Sequence, residues 1–362
     1  MTKLYRLGDI QPGMVTSEDI FVPGSRLVIV HKDTVLTERV IRVIGYHHIY
    51  QIKIKMEGEK PAPMTELPEI APVLDDELKQ EAVGGIRKMF DCVSAGDSDE
   101  QLTTAFQAVK ELDTVVDRLV DTLTRESGAL VHISDLKSYD EYTYHHSLSV
   151  AVLSIAIGQS IAMPDADLRL IGRCAMMHDI GKMLIPPDII NKPAKLTNEE
   201  FALVKKHTEY GYNYLKKGGM GDDAITLSVL CHHEKLDGSG YPGGLTQEKI
   251  PYFARVISVA DVYDAVTSYR SYRSPMAPAD ALELIMSDVG RAFDYDIVKY
   301  FIKKIDIYPI NTCVELNNGR RGIVIDNSRP MRPILLMMDD GNELDLFDLN
   351  NLSLIITRVI DR

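Results

Sequence analysis

The chain has 362 residues, 45% hydrophobic and 26% charged, the make-up of a globular protein long enough for two or three domains. Its formal net charge of −13 argues against binding of nucleic-acid polymers, and any anionic ligand would need local cations to offset that field. No window offers the about 18 uninterrupted apolar residues of a membrane span, and the N-terminus MTKLYRLGDI lacks the apolar stretch of a signal peptide; a cytoplasmic protein without membrane contact is expected. Cys92, Cys174, Cys231 and Cys313 stand far apart, form no CxxC, and read as free thiols.

In chain order, residues 1–56 read as a small mixed α/β module. LVIVH (27–31) and HIYQIKI (48–54) are strand candidates, and TERVIRVIG (37–45) has helical spacing and ends at a glycine. His47 and His48 lie there without a nearby carboxylate or cysteine cluster, so a metal site is not expected. EGEKPAPMTELPEIAP (57–72), with its prolines and acids, reads as a linker. Residues 73–135 form a helical lead-in: over 101–125 apolar residues recur every three or four, a single stripe that packs onto its own domain or dimerises. Helical periodicity continues through 136–304. LSVAVLSIAIGQSIAM (148–163) reads as a buried helix, and TNEE (197–200) has the form of a capping box that should start the helix carrying His207. From 305 to 362 the texture becomes β-rich: VEL (314–316), RGIVID (321–326), ILLMM (334–338) and LDLF (344–347), with hairpin signals at Asn318-Gly319 and Asp340-Gly341.

Six of the ten histidines, His145, His146, His178, His207, His232 and His233, fall in the all-helical middle. One helical histidine is ordinarily a satisfied core or surface residue. Several together suit a metal site built from helices whose imidazoles and carboxylates project inward. AMMHDIGK (175–182) closes an apolar run with His178 and Asp179, an acid–imidazole pair that is costly to bury without a cation or hydrogen bonds. Lys182 shares their helical face. A structural His–Asp hydrogen bond with a helix-end lysine explains the octapeptide equally well. VISVADVYDAVTS (256–268) places a second acid in a core-like run; Asp261 falls on the more apolar face, with Asp264 as its rival. In YRSYR (269–273), Arg270 and Arg273 form either a solvated basic face or a phosphate clamp. CHHEKLDGSGYPGG (231–244) sets two adjacent histidines before a glycine-rich segment. Neighbours on a regular helix diverge by about 100°, so both can ligate only if the helix ends or distorts there.

His146, His178-Asp179 and Asp261 together resemble the H…HD…D signature of HD-domain metal-dependent phosphohydrolases. HDIGK (178–182), His207, His232-His233 and DGSGYP (237–242) narrow the resemblance to the HD-GYP subfamily, bacterial phosphodiesterases of cyclic dinucleotides such as cyclic di-GMP. The resemblance covers about residues 136–304, and less specifically the N-terminal module. It implies a multi-domain chain whose all-α HD-type catalytic domain is flanked by the small N-terminal α/β and C-terminal β modules. By the same resemblance His146, His178, Asp179, His207, His232, His233 and Asp261 ligate two divalent transition-metal ions, iron or alternatively manganese, with Asp179 bridging. Lys182 faces the scissile phosphate; Gly240, Tyr241 and Pro242 shape the substrate loop; Arg270 and Arg273 contact the nucleotide. His145 remains an alternative to His146 in YTYHHS (142–147). Some relatives carry a glutamate four residues before this histidine that supports a third metal; here it is Tyr142, with Asp140 and Glu141 on other faces, so two ions are expected. The implied reaction opens cyclic di-GMP to linear pGpG and onward to GMP in second-messenger signalling, with a diguanylate cyclase or another signalling protein as partner. Cyclic GMP-AMP as substrate, or a silent cyclic-dinucleotide receptor, are the alternatives.

Overall fold

The computed structural model describes residues 2–6, 10–21, 28–37, 40–41, 44, 49, 51–55, 73–125, 131, 136, 142–192, 194–268 and 275–360. Of the helix candidate at 37–45 only residues 37, 40–41 and 44 are described.

 None of residues 57–72 is described, nor are His47, His48, Arg270 and Arg273, so those expectations fall outside the described residues. The chain divides into two compact units, Met1–Pro68 with Ile360–Arg362, and Glu69–Val359.

In the first unit Thr2–Arg6 pairs antiparallel with Gln51–Lys55, and Ile20–Phe21 pairs with Val28–Val30. The second strand of each pair matches a strand candidate in the sequence; Thr2–Arg6 and Ile20–Phe21 were not anticipated. Ile10, Ile20, Val30, Leu36, Ile44, Ile52 and Ile54 form its core.

The second unit is mostly helical. It opens with a hairpin of Asp76–Ala95 and Asp99–Arg125. The Asp75 carboxylate accepts from the Leu78 amide at 2.7 Å and caps the first helix. The apolar stripe of the second, from Leu102 to Leu123, is buried against its own unit, with Phe106 left 38% exposed. Burying each large apolar side chain contributes about 1.5–3 kcal/mol, so such a stripe holds the hairpin without a second copy.

Tyr142–Ser160 is the central helix. It is buried from His146 to Gly158 because its sequence is apolar or small on every face, and Asp165–Met177 and Tyr252–Thr267 pack against it. Gly181 marks a closer approach: a Cβ there would lie 1.9 Å from the His207 carbonyl oxygen and 2.5 Å from the Gly211 amide. Only glycine lets the HDIGK turn touch the helix His207–Lys217.

The TNEE box does start a helix, Asn198–Lys205, with both reciprocal capping bonds formed. His207 is not on it. The chain kinks at Lys206, and His207 opens the next helix. Its ring hydrogen-bonds the Val204 carbonyl at 2.8 Å, which an unbroken helix would give to an amide four residues on.

Towards the C-terminus a five-stranded antiparallel sheet runs in the order Glu343–Asp345, Ile334–Met337, Arg321–Asp326, Cys313–Leu316, Ile356–Val359. The two expected turns join its hairpins, with Gly319 and Gly341 at φ +81° and +69°. Ile356–Val359 was not anticipated, although LIITRVI (354–360) alternates enough to have flagged it.

Candidate metal centre

Three of the histidines sit at helix breaks, and each is oriented in the same way. His178 follows the last residue of Asp165–Met177, His207 opens its helix, and His232 follows the last residue of Asp223–Cys231. Each ring donates Nδ1–H to the carbonyl three residues back: Ala175 at 2.7 Å, Val204 at 2.8 Å and Val229 at 2.8 Å. A carbonyl only accepts, so the proton is on Nδ1 and each Nε2 presents a lone pair.

Those lone pairs converge on Asp179, which is 1% exposed. Its Oδ2 lies 3.2 Å from His178 Nε2 and 3.5 Å from His146 Nε2. Its Oδ1 lies 3.4 Å from His207 Nε2 and 3.8 Å from His232 Nε2. One carboxylate therefore faces two groups of imidazoles. Lys182 Nζ forms an ion pair with Oδ2. Burial would raise the Asp179 pKa, but Lys182 and His178 hold it well below the usual carboxylate range.

The sequence left two choices open at this site. His146, not His145, enters the cluster: its Nε2 is 3.1 Å from Asp261 Oδ1, whereas His145 Nδ1 bonds the Leu136 carbonyl at 2.8 Å. Asp261 and Asp264 are both buried, in different roles. Asp261 faces the cluster, with Oδ2 3.8 Å from His233 Nδ1. Asp264 stands behind His146 and accepts from its Nδ1 at 2.7 Å, while Ser268 Oγ donates to the other carboxylate oxygen at 3.2 Å. Tyr142 stacks on the His146 ring, with centroids 5.5 Å apart.

The arrangement is short of positive charge. His207 and His232 bring two lone-pair nitrogens within 3.3 Å of each other. Burial depresses the His207 pKa to about 4 and lowers that of His232 as well, so neither supplies a proton at neutral pH. His178 Nε2 and Asp179 Oδ1 are buried without a hydrogen bond in the protein. Such groups repel or remain unsatisfied unless a cation joins them. Within the cluster, His146, His178 and Asp179 form one compact donor group and Asp179, His207, His232 and His233 another. This nitrogen-and-oxygen set fits divalent metal ions.

A protein-family model described as HD domain matches residues 131–297. A probable cyclic di-GMP phosphodiesterase of Vibrio cholerae is 30% identical over 83% of this chain and 73% of its own length. The chain belongs to the HD-domain family. A cyclic di-GMP phosphodiesterase of Pseudomonas aeruginosa is 40% identical over 59% of the chain and 51% of its own length. A 3′3′-cGAMP-specific phosphodiesterase of Vibrio cholerae is 33% identical over 54% of the chain and 35% of its own length. The chain thus spans about half, or less, of the length of several curated relatives it matches.

In this HD domain the helix Asp223–Cys231 ends just before the histidine pair, as joint use of both rings requires. The His232 and His233 ring centroids are 4.1 Å apart. Burial, and then the neighbouring His207 and Lys182, depress the His233 pKa to about 3 despite Asp261 and Asp179. Tyr241 lies over this end of the HD domain, its ring centroid 4.8 Å from that of His233. Burial and the carboxylates of Asp261 and Asp179 push its phenol pKa upward. The Tyr241–Pro242 peptide is cis. Gly240 leaves no room for substrate at its own Cα: a Cβ there would meet Glu234 Cα and the Lys235 amide at 2.4 Å, so its missing side chain serves the loop's own packing.

Glu234 was missed from the sequence. It is 3% exposed, and its carboxylate accepts from the amides of Gly243 at 2.6 Å and Leu245 at 2.9 Å. An acid between a histidine pair and a glycine-rich segment was the available signal, since such loops expose amides that need acceptors. Among the described residues no helix is long and apolar enough to cross a membrane.

Proposed function

We propose that this chain is a metal-dependent phosphodiesterase that hydrolyses a 3′–5′ phosphodiester of cyclic di-GMP, giving linear pGpG and then GMP, in bacterial second-messenger signalling. The carrying observation is Asp179, one buried carboxylate facing two sets of inward imidazoles. His146, His178, Asp179 and Asp261 would hold one divalent ion, and Asp179, His207, His232 and His233 the other. The thiolate-free set suits iron, with manganese as the alternative. Tyr142 in place of a carboxylate supports two ions rather than three.

Divalent ions bound there supply Lewis acidity and lower the pKa of water toward neutrality. The protein's own groups do the rest. The main-chain carbonyls and Asp264 fix the imidazole tautomers before substrate arrives, so no reorganisation is needed at that step. Lys182, beside Asp179, brings a positive charge to phosphoryl oxygens that gain negative charge as the diester opens. Tyr241 borders the site and limits water on that side; Gly240 and Pro242 would shape the substrate loop that carries it, and Arg270 and Arg273 would contact the nucleotide.

The relatives named above include phosphodiesterases of both cyclic di-GMP and 3′3′-cGAMP, which makes the mixed dinucleotide a second candidate substrate. One experiment tests both: the protein is purified anaerobically, its metals are counted, and products from cyclic di-GMP and cyclic GMP-AMP are identified. Turnover of cyclic di-GMP with about two ions per chain is expected. A metal-loaded protein that cleaves neither substrate overturns the proposal.

A further inference from the structure

A cyclic dinucleotide carries two phosphates, and the cluster with Lys182 accounts for only one. The second would enter the field of a chain with net charge −13, so it needs local cations; Arg270 and Arg273 are read as nucleotide contacts and lie outside the described residues, and among those that are described one lysine stands at the edge of the cluster. Lys182 is already engaged with Asp179. Lys205 is differently placed. Its Nζ lies 5.1 Å from the Tyr241 ring centroid and 4.8 Å from that of Phe201, and no carboxylate of the described residues lies within ion-pair distance of it. An ammonium held against two rings is positioned without being neutralised. Tyr241 in turn lies 4.8 Å from the His233 ring, so Lys205 stands one side chain outward from the cluster.

The helix that presents Lys205 has an unusual basis. No side chain of Asn198–Lys205 is fully buried, and Leu203, Val204 and Lys205 are half-buried. Its position is kept by the Thr197–Glu200 capping box, by Lys192 pairing with the Glu200 carboxylate at 2.7 Å, and by the continuation into His207. Lys205 is its last residue, two before a candidate metal ligand. The caps and the continuation into His207 fix the register of Lys205 to the cluster.

We infer that Lys205 is a substrate-binding residue that takes the second, non-reacting phosphate of a cyclic dinucleotide, an inference that rests on the phosphodiesterase reading above. Lys205→Met keeps the stem against the rings and removes the charge; Lys205→Arg keeps the charge. Steady-state kinetics of the metal-loaded full chain are compared on cyclic di-GMP and on bis(p-nitrophenyl) phosphate, which has one phosphate. Lys205→Met is expected to raise KM for cyclic di-GMP about tenfold. Its loss of kcat/KM on bis(p-nitrophenyl) phosphate should be several-fold smaller, and Lys205→Arg should recover most of the KM. Equal losses on both substrates, a loss confined to kcat, or a KM within about twofold of the parent overturns the assignment. A parent protein that cleaves bis(p-nitrophenyl) phosphate but no cyclic dinucleotide instead removes the underlying reading, and is recognised before any variant is made.

Discussion

His146 is held from two sides, and the two contacts differ in what they do. Asp261 faces its Nε2 and Asp264 its Nδ1. Burial alone would lower the His146 pKa, but the two carboxylates outweigh it and push it up to about 9. A metal ion must displace that proton, and Asp264 then keeps the proton on Nδ1. Asp264→Ala is expected to weaken metal affinity about 10–100-fold at the His146 side, with Asp264→Asn less affected because its amide oxygen still accepts. Metal titration followed by count per chain checks this; two ions held at unchanged affinity in Asp264→Ala would refute it. The same residues set the acid–base behaviour of metal-free protein. His207 and His233, at about 4 and about 3, stay neutral when folded, whereas the unfolded chain binds protons below about 6.5. Stability from this source falls as pH drops from about 6.5 toward 4. His146 acts oppositely: its contribution is full below about 6.5 and is lost as pH rises through about 9. Metal-free protein should therefore melt at its highest temperature near pH 6.5; a melting temperature in chelator that still climbs toward pH 9 contradicts this.

At the level of elements, three of the ligand candidates, His178, His207 and His232, lie at helix ends, whereas His146 and Asp261 lie within helices. Asp165–Met177, Asn198–Lys205 and Asp223–Cys231 each stop within two residues of a clustered histidine, whose ring bonds the carbonyl three residues back. The break at Lys206 was not legible in TNEEFALVKKH, which has good helix formers throughout. The segment 231–244 shows the same logic on a loop. Glu234 gathers the Gly243 and Leu245 amides, and the Tyr241 amide donates to the His233 carbonyl at 3.2 Å, tying the loop back to the histidine pair. Glu234→Ala takes the carboxylate acceptor from two part-buried amides and should cost about 1 kcal/mol or more. Because the loop then loosens over the site, KM for the cyclic dinucleotide should rise while the metal count stays near that of the parent. Kinetics with metal analysis on the same preparation decide it, and a variant with unchanged KM removes the loop-holding role.

Across the whole molecule, the metal cluster joins residues from the helices Tyr142–Ser160, His207–Lys217 and Tyr252–Thr267 with the turns after two more. Each ion bound at about 100-fold above its Kd would add about 2.7 kcal/mol to stability. Chelation is accordingly expected to lower the melting temperature by about 5–10 °C. A melting temperature that does not move when metal analysis confirms removal would mean the cluster holds ions without organising the fold. The sequence by itself determined the kind of chemistry. Helical periodicity, the His178-Asp179 pair in an apolar run and the histidine pair before the glycines need only local pattern to be seen. It also set the β-rich texture near the C-terminus, because hairpin turns have local signatures. Only the tertiary structure decided between His145 and His146, gave Asp261 and Asp264 their separate places, and brought Glu234 and Lys205 to the edge of the site. Those distinctions depend on which face of one helix meets which neighbour, and on where a helix yields its last carbonyl to a side chain. Both are settled by packing between segments distant in the chain, where local propensity carries no information.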